Sequence, residues 1–163
     1  MPTRTSQLQI RVTPREKALL RREAARAGLD VSAYVLGRAL PATATAWDAL
    51  LAALGRADAP DYVLAELNVL LTELPPIEFE ATVARGPSGG LEPWVLNYVA
   101  ALVEQAATLK GVSTPDWCAE VAPLGSPWFG TDLRRLRPYL LRVSPVPFKR
   151  RNLFVDSGIG SRV

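Results

Sequence analysis

Three polar side chains near the start of the chain, Gln7, Gln9 and Arg11, alternate with Leu8, Ile10 and Val12. A period of two marks a half-buried strand, with the polar groups on one face and the apolar groups on the other. These polar types suit the reading of base edges. Glutamine pairs bidentately with adenine N6/N7 and arginine with guanine O6/N7, each pair discriminating by about 1–3 kcal/mol. A two-stranded ribbon also fits the major groove of duplex DNA.

The remaining inventory argues against catalysis. The 163 residues include no histidine and one cysteine, Cys118. The commonest general base and metal ligand is therefore missing, and a zinc site has almost nothing to use. Neither a P-loop nor a dinucleotide fingerprint occurs. Gly86-Pro-Ser-Gly-Gly90 lacks the lysine that such a loop needs and reads as a turn. Glu78 and Glu80 form a close carboxylate pair, yet nothing beside them would perturb their pKa values, so a carboxylate enzyme ranks last. Cys118, next to Trp117 and without a basic neighbour in sequence, reads as an inert buried thiol. We expect no catalytic residue, no metal and no cofactor.

The elements around the strand must position it. Thr13 is placed to cap a helix, with Pro14 in its first turn and Glu16 closing a capping box. Gly28 supplies a left-handed end, and Asp30 caps a second helix reaching about Leu40 before Pro41. A lone six-residue strand must pair, and its simplest partner is the same strand of a second copy. Further on, helices are expected at 45–54, 61–74 and 91–110, with short ones at 115–121 and 132–142. Residues 77–84 are ambiguous between helix and strand. Residues 144–155, rich in proline and cations, are expected not to be helical. The fold class is mainly α. A strand-helix-helix module at 1–41, forming an intertwined dimer, precedes a mostly helical domain at 45–163. Residues 41–46 are open between linker and tight turn.

Charge is unevenly spread. Residues 1–40 carry eight Lys/Arg against three Asp/Glu, residues 41–124 three against eleven, and residues 125–163 eight against two. The last part groups seven cations with aromatics between them, among them Lys149, Arg150 and Arg151. These three would contact phosphates or an acidic partner protein. Leu50, Leu51, Leu54, Leu64, Leu67, Leu70 and Leu71 read as core. No apolar run is long enough for a membrane span, and the first residues lack a secretory signal, so a cytoplasmic location is expected.

Residues 5–40, through Gln7-Leu-Gln-Ile-Arg-Val-Thr-Pro14 and Gly28-Leu-Asp-Val-Ser-Ala-Tyr34, resemble the ribbon-helix-helix family of repressors and antitoxins. The resemblance implies base reading by Gln7, Gln9 and Arg11. It also implies phosphate binding by the backbone N–H groups of Val31 and Ser32; Arg4 is added as a phosphate contact. The segments Trp94–Glu104, Lys110-Gly-Val112, Pro115-Asp-Trp117, Pro127-Trp-Phe129 and Pro147–Val155 are similar to bacterial proteins found near nucleotidyltransferase-type toxins. The leading expectation is therefore a dimeric operator-binding repressor, the antitoxin of a toxin–antitoxin operon, holding its toxin through residues 45–163. The alternatives are a plasmid accessory DNA-binding protein of the relaxosome type and a helical protein–protein interaction module that does not bind DNA.

Overall fold

The computed structural model describes residues 9–39 and 42–158. Gln7 and Leu8 of the expected DNA-reading strand, the expected phosphate contact Arg4, and Leu40 and Pro41 lie outside the described residues. The chain divides into two compact units, Met1–Pro41 and Ala42–Val163.

In the first unit, α1 (Pro14–Arg26) starts on a complete capping box. The Glu16 N–H donates to Thr13 Oγ1 at 3.3 Å, and the Thr13 N–H donates to the Glu16 carboxylate at 2.7 Å. The helix closes on Gly28 at φ +66°, with Leu29 N–H on the Ala24 carbonyl at 3.0 Å and Gly28 N–H on that of Ala25 at 3.2 Å. That pair of bonds absorbs two carbonyls the helix end would otherwise leave open, and the left-handed residue they require is why glycine stands there. α2 (Val31–Ala39) follows, its Ala33 N–H held by the Asp30 carboxylate at 2.8 Å.

Residues 9–13 form no strand in the single chain, a departure from the alternation-based expectation. A β-ladder needs a second strand to satisfy its N–H and C=O groups. None is offered by the described residues of this unit, which are otherwise helical.

The second unit is a helical assembly around α6 (Pro93–Lys110), with α3 (Ala42–Leu54), α4 (Asp61–Glu73), α5 (Pro76–Val83) and α7 (Asp116–Glu120). α6 is apolar almost all round, and ten of its residues are buried, including Val99, Leu102, Val103 and Ala107. A helix of that composition belongs at the centre of a fold. α4, α5 and α7 pack on it, and α3 packs on α4 and α5. Each fully buried Leu or Val side chain here stabilises by about 1.5–3 kcal/mol. Trp47 is wholly buried on α3 and donates its indole N–H to the Arg85 carbonyl at 2.9 Å. Leu54, Leu64, Leu67 and Leu71 are buried, while Leu50, Leu51 and Leu70 pack half-buried against them.

The C-terminal part departs further from the sequence expectations. A 3-10 turn at Arg134–Leu136 leads into α8 (Arg137–Val143), and Val146–Arg150 forms a short helix, α9, where none was expected. Its prolines sit at Pro145 and Pro147, ahead of and inside the first turn, where the missing N–H costs nothing. Burial of Phe148 then fixes the turn in place. Two short strands, β1 (Trp128–Phe129) and β2 (Leu153–Phe154), pair in parallel. The ambiguous segment 77–84 is resolved as α5, a helix, because Phe79, Thr82 and Val83 turn inward at helical spacing.

Candidate nucleic-acid interface

The first unit holds Gln9 and Arg11, the two residues expected to read bases that the structure describes. Gln9 and Arg11 are exposed and precede α1 directly. On the same short stretch Ile10 is 63% exposed and Val12 is also open, followed by Leu19 on α1, Leu29 between the helices and Val31 on α2. Among the described residues of this unit only Ala24 is buried. Among the described residues of this unit, five large apolar side chains are thus left 38–63% exposed. Covering them would stabilise by about 1 kcal/mol each, roughly half the value for a fully exposed side chain.

Val31 and Ser32 form the opening turn of α2, where backbone N–H groups find no acceptor within the helix. The next donor, Ala33 N–H, is already taken by Asp30. Two N–H groups thus remain at a helix end that favours anions. Arg11, Arg15, Lys17 and Arg21 are exposed without an ion-pair partner among the described residues, whereas Arg22 and Arg26 share Glu23. The basic character of this unit is therefore available to a polyanion.

The expected C-terminal trio separates into different roles. Arg150 is exposed, and Lys149, half-buried, donates its ammonium to the Arg142 carbonyl at 2.8 Å. Arg151 is not a surface cation. It is 5% exposed, and its guanidinium meets the Glu104 carboxylate at 2.7 Å, the carbonyls of Cys118 and Val121, and the Asn97 side chain. Its place is set by β2 and α9, which carry the chain back across α6; a partner 47 residues away leaves no local trace in sequence. Arg151 is a tie between α6, α7 and the C-terminal segment.

The rest of the second unit is built for packing. Cys118 is buried, and its thiol is pushed up to about 12 by burial and by Glu104, with nearby Arg151 pulling the other way and losing. Trp117 donates to the Val83 carbonyl at 2.9 Å and lies flat against Gly86. Glu78 and Glu80 stand two apart on α5, a spacing that turns them away from each other. Glu78 accepts from the Thr43 hydroxyl and Glu80 from the Ser113 N–H, both at 3.4 Å. Trp94 stacks on Trp128 at 4.8 Å, with Tyr98 edge-on to both. Tyr98 and Trp128 line a groove of about 450 Å³ with Leu64, Asn68 and Asp61. The Tyr98 hydroxyl is pushed up to about 12, first by burial and then by Asp61. Among the described residues no three acidic or cysteine side chains gather as a metal ion would require. No helix of the described residues is long and apolar enough to cross a membrane.

Residues 2–56 match the family model for NikA-like proteins, described as mobilization protein NikA. The match takes in α1 and α2 with the residues before them and runs on through α3. No curated protein and no solved structure matches the chain. The similarity expected for the C-terminal half is therefore not among these findings.

Proposed function

We propose that the chain is an accessory DNA-binding protein of a plasmid mobilisation complex, acting as a dimer through its first forty residues. The family match over residues 2–56 carries this reading. It favours the relaxosome-type alternative over the toxin–antitoxin expectation, to which none of these findings points.

In this reading two copies align residues 7–13 antiparallel. Leu8, Ile10 and Val12 from both chains turn onto the helices, and Gln7, Gln9 and Arg11 from both chains turn outward into the major groove. The exposed Ile10, Val12, Leu19 and Leu29 support it, because the described residues of the first unit leave them open. The open N–H groups of Val31 and Ser32 hold a phosphate, and Arg4 adds a second backbone contact. Phosphate contacts fix the register, and the outward side chains specify the site. The second unit then serves as a body to which other components of the complex attach. The protein itself performs no chemistry.

Fluorescence anisotropy tests the reading on duplex DNA from the transfer region of the element that encodes the chain, against a scrambled duplex. The wild type is expected to prefer the native sequence. Arg11→Ala should lose about 1–3 kcal/mol of that preference for each chain, roughly 5- to 150-fold per contact. Equal binding to both duplexes, unchanged by Arg11→Ala, would contradict ribbon readout.

A further inference from the structure

We propose that the exposed cations of residues 134–150 form a second contact surface for the phosphate backbone of duplex DNA. The inference rests on the DNA-binding reading of the first unit, since a tethered duplex reaches a second site at high effective concentration.

Arg134, Arg135, Arg137, Arg142 and Arg150 are exposed, and Lys149 is half-buried beside them. Among the described residues the ion pairs are made by Glu23 and Glu104, so none of these six cations has a carboxylate partner. The described acids of this stretch are Asp132 and Asp156. Asp156 already accepts from the Tyr139 hydroxyl at 3.2 Å and from the Gly158 N–H at 2.9 Å. A cluster of like charges raises the energy of the fold through self-repulsion, and a polyanion relieves it.

Two of the cations, Arg137 and Lys149, are also held in place. The Arg137 guanidinium lies 4.7 Å over the Phe129 ring, which itself stacks on Phe154 at 5.1 Å. An arginine fixed by its face keeps its edge donors free for phosphate oxygens. The Lys149–Arg142 hydrogen bond ties the start of the last basic group to the end of α8.

Leu133, Leu136, Tyr139 and Leu141 are exposed between the cations, which makes an acidic protein surface the competing occupant. Six cations without carboxylate partners, on a chain whose first unit delivers DNA, favour phosphate.

The test uses the full chain on native and scrambled duplexes across a salt series. One variant carries Arg134→Gln, Arg135→Gln, Arg142→Gln and Arg150→Gln; a second carries lysine at the same four positions. With the Gln variant, log Kobs against log salt should flatten by about 3–4 units of slope for each chain whose patch touches the duplex, about 7 for both chains of the dimer, and both duplexes should lose affinity by the same factor. The Lys variant should bind as wild type, since backbone contacts need only the charge. Loss of binding in the Lys variant to the extent seen with Gln would overturn the proposal, because the effect would not be charge. Wild-type slope and affinity in the Gln variant would also overturn it. The native-to-scrambled ratio reports on the first unit separately. If that ratio is unity while the Gln variant still loses affinity, the ribbon reading fails and the second surface stands. No binding to either duplex overturns both.

Discussion

Replacing Arg151 with alanine separates a structural cation from a DNA-binding one. The guanidinium pairs with Glu104 at 2.7 Å and donates to the carbonyls of Cys118 and Val121 from a side chain only 6% exposed. Its removal leaves a carboxylate and two carbonyls without their donor. An orphaned buried acceptor costs about 1–3 kcal/mol, and loss of one partner of a buried ion pair costs about 3–5 kcal/mol. The Glu104 side chain keeps 18% exposure, so water reaches it and softens the loss. We therefore expect Arg151→Ala to destabilise the second unit by about 4 kcal/mol. For a unit of this size that corresponds to a fall in Tm of roughly 15 °C. Thermal denaturation followed by circular dichroism measures it, with anisotropy well below the transition as the companion assay. DNA affinity there should be unchanged. A variant that melts with the wild type but binds DNA more weakly would refute the buried-tie assignment and return Arg151 to the surface.

Other outcomes follow from single contacts. Gly86→Ala would place a Cβ 2.6 Å from the Trp117 ring, which its bond to Val83 holds still, so a loss of about 1–3 kcal/mol is expected in urea denaturation. Glu16 is held below the usual carboxylate range by the hydrogen bonds from the Thr13 backbone and hydroxyl. Its contribution to α1 is therefore present above the unfolded-state pKa and lost as pH falls through the lower folded-state value. A helical signal from α1 that is indifferent to acid in wild type, or equally acid-sensitive in Glu16→Gln, would contradict this. Cys118, buried and titrating near 12, should react with a thiol reagent at mildly alkaline pH only after denaturation. Prompt labelling of the native chain would place the thiol at the surface.

Residues that act on their near neighbours were legible in the sequence. Thr13, Pro14 and Glu16 mark where α1 begins, and Gly28 and Asp30 mark the next helix ends, because capping is settled within a few residues. The periodicity of 91–110 likewise identified the central helix. Residues whose roles depend on distant partners were not legible. Arg151 looks like one of three adjacent cations until the fold brings Glu104 to it. β1 and β2 pair over two residues each, too few to leave an alternating pattern. α9 was hidden by its own prolines, which forbid helix interiors but suit a first turn. The strand expected at 7–13 is the converse case: its alternation is clear in the sequence, yet residues 9–13 form no strand in the single chain.

Methylation interference most directly tests whether a dimeric ribbon reads the major groove. DNA from the transfer region is sparsely methylated at guanine N7, a major-groove acceptor, and bound and free fractions are compared for wild type and Arg11→Ala. The expected result is interference at two groups of guanines related by two-fold symmetry, with one guanine in each group released by Arg11→Ala. Uniform binding regardless of N7 methylation, identical for both proteins, would contradict it.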